Sequence, residues 1–222
     1  MKHKHFFFDL DNTVTESRSI ITDKMKDKLN NINGDIIVIS GAEIERMDKQ
    51  LYGLKCFKMA QSGAFCEYWI DRLSDDQFNE VKDYCQLIQD RFLFYSFFFQ
   101  DRGCQVTLGF INPENDLEIK NNFDKDKKIR QSILNLIPFI SLNDMEVKIA
   151  GSTSLDFVKK TSTKGRNIEK LLEYNGWKVE DCIYYGDALE ERGNDNSVIG
   201  VIQTIAVANP EDLWKELNIM EK

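Results

Sequence analysis

The run HFFFDLDNT, residues 5–13, places an unbroken apolar segment directly before two carboxylates two positions apart, Asp9 and Asp11. A strand with one solvated face alternates apolar and polar residues, whereas a continuous run such as His5 to Phe8 needs cover on both faces, as parallel strands have. Working outward, Ile36 to Ile39, Ile183 to Tyr185 and Ile202 to Val207 repeat the pattern. Helical spacing falls over Ile21 to Ile32, Ile44 to Leu54, Gly165 to Tyr174 and Pro210 to Leu217, the last with proline near its start. The alternation predicts an α/β domain built on a covered, mostly parallel sheet.

Three of these strands run into small polar residues: FFF into Asp9, IIVI into Ser40-Gly41, and IYY into Gly186-Asp187. Open parallel sheets bind ligands beyond the carboxyl ends of their strands, so these positions are expected to meet at one edge. The middle of the chain reads differently. A helix is expected over Asp75 to Phe92, a hairpin around Asp101-Arg102-Gly103, a second helix over Asp124 to Leu136, and two short strands, Glu146 to Ala150 and Ser154 to Val158. Helices laid against consecutive strands make an α+β module inserted into the α/β domain. The aromatic run from Phe92 to Phe99 is expected to fill and cover that small sheet.

Hydrophobic residues make up 42% and charged residues 30% of the 222, with 12 Gly and 3 Pro, which excludes collagen-like, low-complexity and disordered classes. Lys and Arg number 29 against 37 Asp and Glu, a formal charge of −8, the wrong sign for holding a nucleic acid by counterion release. An anionic substrate would then need a local positive field or a bound cation. Cys56, Cys66, Cys85, Cys104 and Cys182 are scattered and never paired as CxxC, which fits reduced thiols and a cytoplasmic location. The opening MKHKHFFFDLDN meets acidic residues too soon for a secretory leader, so neither export nor membrane insertion is expected.

The chemistry of DLDNT depends on what stands beside it. A carboxylate can accept a phosphoryl group when a divalent cation holds the phosphate, and its neighbour can protonate the leaving oxygen and later activate water. Two ionised carboxylates need compensation, which Mg²⁺ supplies through oxygen ligands, and Asp9 with Asp187 would suffice as direct ligands. Asp195, in Gly193-Asn194-Asp195, stands further along the same segment. The Ser40 hydroxyl and backbone N–H groups near Gly41 can donate to phosphate oxygens, and Lys164 adds a point charge at a helix start. Each piece taken singly reads as an ordinary turn, cap or solvated lysine. A receiver-like regulatory module with an acidic Mg²⁺ pocket is the non-enzymatic alternative, but it needs no acid two residues after the phosphorylated Asp and no inserted module.

The ordered set DLDNT, ISG, Lys164 and GD…GND resembles the haloacid dehalogenase superfamily of Mg²⁺-dependent phosphotransferases, over essentially the whole chain. The resemblance implies a Rossmann-like core, residues 1–66 and 159–222, with an inserted α+β cap of the C2B type, residues 67–158. It implies Asp9 as nucleophile, Asp11 as general acid and base whose backbone carbonyl also binds metal, Ser40, Gly41 and Lys164 as phosphate holders, and Asp187 with Asp195 on the metal side. GDALEERGND, SLDFVKKTSTK, DKDKKIR and VISGAE look like segments of eukaryotic-type phosphomannomutases, which implies substrate contacts at Ser154 and Asp156 and a homodimer formed through the cap. The mutase cap presents arginines that grip a second phosphate, whereas GCQVTLGFINPENDLEIK has none, and Arg102 and Lys120 are the nearest cations. Hydrolysis of a small phosphate ester, a sugar phosphate by preference, is therefore expected ahead of phosphomannomutase activity.

Overall fold

The computed structural model describes residues 3–112, 117–191 and 193–220. In chain order the elements are β1 (His5–Asp9), α1 (Asp23–Asn30), β2 (Asp35–Ile39), α2 (Ile44–Gln50), β3 (Phe57–Met59), α3 (Asp75–Arg91), β4 (Phe98–Asp101), β5 (Gln105–Gly109), α4 (Leu117–Phe123), α5 (Lys128–Leu136), β6 (Met145–Ala150), β7 (Ser154–Lys159), α6 (Lys164–Asn175), β8 (Cys182–Gly186), β9 (Gln203–Ala206) and α7 (Pro210–Met220). The chain divides into two compact units, Met1–Ile70 with Ser162–Lys222, and Asp71–Thr161. The expected boundary after Val158 would cut through β7, which continues to Lys159.

The first unit carries a five-stranded sheet in the order β3-β2-β1-β8-β9, every pair parallel. Strand parity explains why its runs are continuous. Phe6, Phe8, Ile36, Val38, Ile183 and Tyr185 face one way, onto Met25 and Leu29 of α1, Met47 of α2 and Leu213 and Leu217 of α7. Phe7, Ile37, Ile39, Cys182 and Tyr184 face the other way, onto Ile168, Leu171 and Leu172 of α6. Each buried phenylalanine of β1 contributes about 2–3 kcal/mol of transfer free energy, so both layers are needed to hold the central strand. β3 goes beyond the expected strands: its FKM is too short and too exposed at its first two positions to register as a buried run. None of the five cysteines is in a disulfide, and no helix is long and apolar enough to cross a membrane, among the described residues.

The second unit holds an antiparallel sheet, β4-β5-β7-β6. β4 and β5 form the expected hairpin. Gly103 takes φ +81, its N–H donates to Asp101 Oδ1 at 2.8 Å, and the Arg102 N–H donates to the Gln105 carbonyl at 2.9 Å, closing the turn. The second helix departs from expectation. It starts at Lys128 rather than Asp124, because the Asp124 carboxylate caps it from outside, accepting from the N–H groups of Ile129 and Arg130 at 2.9 and 3.1 Å. Asp124 also accepts from Arg130 Nε at 2.7 Å, with both side chains fully buried. Arg130 Nη1 donates to the carbonyls of Ala150, Gly151 and Ser154, so this guanidinium ties α5 to the β6–β7 turn.

That pair yields a stability prediction. Asp124→Ala leaves a buried guanidinium without its counter-charge and should lower the unfolding free energy by about 3–5 kcal/mol. Asp126→Ala, which breaks the exposed pair with Lys128, should leave the urea midpoint nearly unchanged. Equal midpoints for the two variants would contradict the structural role of Arg130.

Candidate active site

Sheet register assembles the site. Asp9 ends β1 opposite Ile39 of β2, and Phe8 pairs with Tyr185 of β8, so Ser40 lies one step and Asp187 two steps beyond the last paired positions on either side. Asp9 shares the face of Phe7, the face covered by α6, and Lys164 is the first residue of that helix. The Lys164 ammonium accordingly donates to Asp9 Oδ1, and to Asp195 Oδ1 at 2.6 Å. Tyr184, on the same face, donates its hydroxyl to Asp195 Oδ1 at 2.7 Å, and the Ala188 N–H donates to Asp195 Oδ2 at 3.2 Å. Asp9, Lys164 and Asp195 are all buried. Gly186 is required here: a Cβ at this position would lie 2.2 Å from Asp195 Oδ2.

Asp187 completes an acidic group with Asp9 and Asp195, one carboxylate oxygen from each lying within 4.8 Å of the others. Its carboxylate accepts from Asn12 Nδ2 at 3.3 Å. Burial pushes the Asp9 carboxyl up to about 7; Lys164 pulls it down, while Asp195 and Asp187 push it further up. Burial, with Asp195 beside it, likewise raises Asp187, against the pull of the Asn12 hydrogen bond. Burial alone would make Lys164 lose its proton more readily, but the two facing carboxylates reverse this and raise it. Three carboxylates against one ammonium leave an excess of negative charge in a buried space. Hard oxygen donors of this kind suit Mg²⁺, so Asp9, Asp187 and Asp195 form a donor set that such a cation fits.

Ser40 is buried, with its Oγ accepting from the Ala42 N–H at 3.1 Å. Its carbonyl accepts from the Ser62 N–H at 2.7 Å, and the Ser62 carbonyl accepts from Asn167 of α6 at 2.8 Å. The Ser40-Gly41 turn is thereby tied to the helix that carries Lys164. A Cβ on Gly41 would meet nothing within 4 Å, so space remains beside this backbone.

Asp11 behaves differently from Asp9. Its carboxylate is not a member of the three-carboxylate group. Oδ2 accepts from Arg46 Nη2, and Oδ1 accepts from Gln50 Nε2 at 3.1 Å and the Arg18 N–H at 2.7 Å. Arg46, Gln50, Asn12 and Tyr184 all go beyond the residues singled out from sequence. Strand parity could have found Tyr184, since a buried phenol on the α6 face needs a polar partner. Arg46 and Gln50 carry only the i, i+4 spacing of one helix face.

Of the residues expected to meet substrate in the second unit, Ser154 and Asp156 lie on β7 and Arg102 lies in the β4–β5 turn. Register aligns Gln100, Thr107, Asp156 and Lys148 in one row across the four strands. Asp156 accepts from Thr107 Oγ1 at 2.7 Å and Gln105 Nε2 at 3.4 Å, and burial raises its carboxyl despite nearby Arg102. Ser154 Oγ donates to the Ala150 carbonyl at 3.1 Å, and Arg102 donates from Nε and Nη2 to Gln100 Oε1 at 3.2 and 3.1 Å.

No family model matches the chain, and no curated protein matches it by sequence. Solved structures do match in fold. An N-terminally truncated, IMP-bound IMP-nucleotidase from Plasmodium falciparum superposes with a TM-score of 0.68 at 15% identity, over 99% of this chain and 68% of that one. The C-terminal domain of trehalose-6-phosphate phosphatase from C. albicans gives 0.66 at 14% identity, over 99% and 92%. A haloacid dehalogenase-like hydrolase from Bacteroides thetaiotaomicron gives 0.63 at 16%, over 97% and 92%.

The raised Asp9 carboxyl makes cation binding depend on pH. Below about 7 a cation must displace the Asp9 proton, and above it the ligand is already ionised, so affinity should rise with pH through this region and then flatten. The metal-free fold moves the opposite way. The unfolded carboxyl ionises from its ordinary 3.8 upward while the folded one keeps its proton, so this group's contribution to stability falls as pH climbs from about 4 to about 7. Thermal melts should therefore show a larger Mg²⁺-induced rise in Tm at pH 8 than at pH 6. An equal rise at both pH values would remove Asp9 from the ligand set.

Proposed function

We propose that this chain is a Mg²⁺-dependent phosphatase that cleaves a small phosphomonoester, a sugar phosphate by preference, through a phosphorylated Asp9. The observation that carries the reading is the buried convergence of Asp9, Asp187 and Asp195 with Lys164 at the carboxyl edge of a parallel sheet. The fold likeness to an IMP-nucleotidase and to a trehalose-6-phosphate phosphatase supports it.

In this reading an Asp9 oxygen bonds to phosphorus while the bond from phosphorus to the leaving oxygen breaks, and that oxygen takes a proton from Asp11. Water then gives a proton to Asp11 as its oxygen bonds to phosphorus, the Asp9–phosphorus linkage breaks, and inorganic phosphate leaves. Lys164 favours the ionised form of Asp9 against the pull of burial and stays beside the transferring group. The Ser40 hydroxyl and the Gly41 backbone hold phosphate oxygens in line, so positioning and charge supply most of the acceleration. A divalent cation on Asp9, Asp187 and Asp195 neutralises the repulsion between carboxylate and phosphate when bound. Ser154, Asp156 and Arg102 would recognise the part of the substrate that leaves.

Hydrolysis is favoured over phosphomannomutase activity by where Arg130 of the inserted unit is engaged. Arg130 is fully buried and holds the Asp124 carboxylate and the backbone carbonyls of Asp124, Ala150, Gly151 and Ser154, so its guanidinium is engaged within its own unit rather than offered to a second phosphate. With Mg²⁺ and a panel of sugar phosphates and nucleotides, phosphate release should be greatest for a sugar phosphate and lost on chelation. Asp9→Asn should abolish turnover with the fold intact; unchanged hydrolysis by that variant would falsify the nucleophile assignment. Mannose 1-phosphate with a catalytic bisphosphate should yield free phosphate, and mannose 6-phosphate formed without phosphate release would select the mutase instead.

A further inference from the structure

We propose that Arg46 is a positioning residue that sets the orientation of the Asp11 carboxylate for proton transfer, acting directly and through Gln50. The proposal rests on the phosphatase reading. The turn carrying Asp11 is fixed at its backbone: the Asn12 N–H donates to the Thr15 carbonyl at 2.7 Å, and Val14 and Thr15 donate to the Leu10 carbonyl at 3.0 Å each. What remains adjustable is the Asp11 side chain, and its partners decide where it points.

Arg46 bears on both oxygens, on Oδ2 directly and on Oδ1 through Gln50, beside the Arg18 N–H that donates to Oδ1 at 2.7 Å. Arg46 Nη2 pairs with Asp11 Oδ2, while its Nε donates to Gln50 Oε1 at 2.7 Å. An amide held by its oxygen must turn its nitrogen the other way, and Gln50 Nε2 accordingly donates to Asp11 Oδ1 at 3.1 Å, and to Thr15 Oγ1 and the Ser19 carbonyl at 3.2 and 3.3 Å. One turn of α2, residues 46 and 50, thus forms a two-point cradle for one carboxylate. Gln50 is buried, whereas the Arg46 and Asp11 side chains are 37% and 26% exposed. A pair this open to water contributes little to stability, which argues for a role in orientation and allows the contact to exchange during turnover.

The leaving group separates this role from a structural one. Phenolate needs a proton to depart, whereas p-nitrophenolate leaves without one, and kcat/KM reports the step that forms phospho-Asp9. Arg46→Met should lower kcat/KM for phenyl phosphate by roughly tenfold or more, a share of the 10²–10⁴ that general acid catalysis contributes, and that for p-nitrophenyl phosphate by less than about threefold. Arg46→Lys, which keeps the charge and loses the fork, should fall between. In an Asp11→Asn background, Arg46→Met should cause no further loss. Equal losses on both esters, or a loss that persists without the Asp11 carboxylate, would overturn the proposal while leaving the phosphatase reading intact. Absence of wild-type turnover on both esters would overturn the phosphatase reading itself, and the positioning role with it.

Discussion

A single buried ammonium organises the first unit. Lys164 sits between Asp9 and Asp195, and without it two carboxylates would be sealed beneath a sheet edge with no compensating charge. The arrangement is possible because three separate stretches of chain arrive together: the end of β1, the start of α6 and the loop after β8. Their arrival is enforced by apolar parity, since the residues packing α6 onto Phe7 and Tyr184 also fix where that helix begins. The core and the polar site are therefore one construction, with hydrophobic burial supplying the energy that holds charged groups in an unfavourable place.

The compensation is incomplete, and the deficit carries chemical meaning. One ammonium faces three carboxylates, and Asp9 answers by holding its proton more tightly than an ordinary carboxyl. A group in that condition is a poor nucleophile until more positive charge arrives, so in the proposed reaction cation binding and the activation of Asp9 would be coupled. Small residues make this crowding feasible. Gly186 admits the Asp195 carboxylate at a distance no side chain would allow, and Gly165 lets the start of α6 approach the backbone of Ser197, where a Cβ would lie 1.9 Å from its carbonyl oxygen.

The parts of this arrangement legible in sequence are those set by local chemistry. Continuous apolar runs mark β1, β2 and β8, and the polar residues that end them mark one edge of the sheet, whereas β9, QTIA, is a partly exposed edge strand rather than the covered run expected over Ile202 to Val207. What local chemistry does not set is harder to read. β3 is three residues long at a sheet edge, with a burial pattern that signals nothing. α5 begins four residues late because a carboxylate upstream folds back onto its first N–H groups, a tertiary effect with no periodicity of its own. α4, over Leu117–Phe123, follows a stretch rich in turn-forming residues that hides the short helix. Tyr184 and Arg46 act through partners 11 and 35 positions away, beyond any spacing rule.

The contrast between Asp9 and Asp11 shows why two carboxylates spaced by two need not share an environment. Asp9 is the last residue of a strand, so the pleat and the sheet register dictate its direction, and it is buried against Lys164. Asp11 lies past the point where pairing with neighbouring strands ends, on a turn with Asn12 at φ +62, so its direction is chosen by contacts and not by the sheet. A nucleophile benefits from the first condition, because its line of attack must not vary. An acid that must also serve as a base benefits from the second, because it addresses a departing oxygen in one step and an arriving water in the next. Rigid placement of one carboxylate and exchangeable placement of the other is thus the division of labour that the proposed two-step phosphoryl transfer would require.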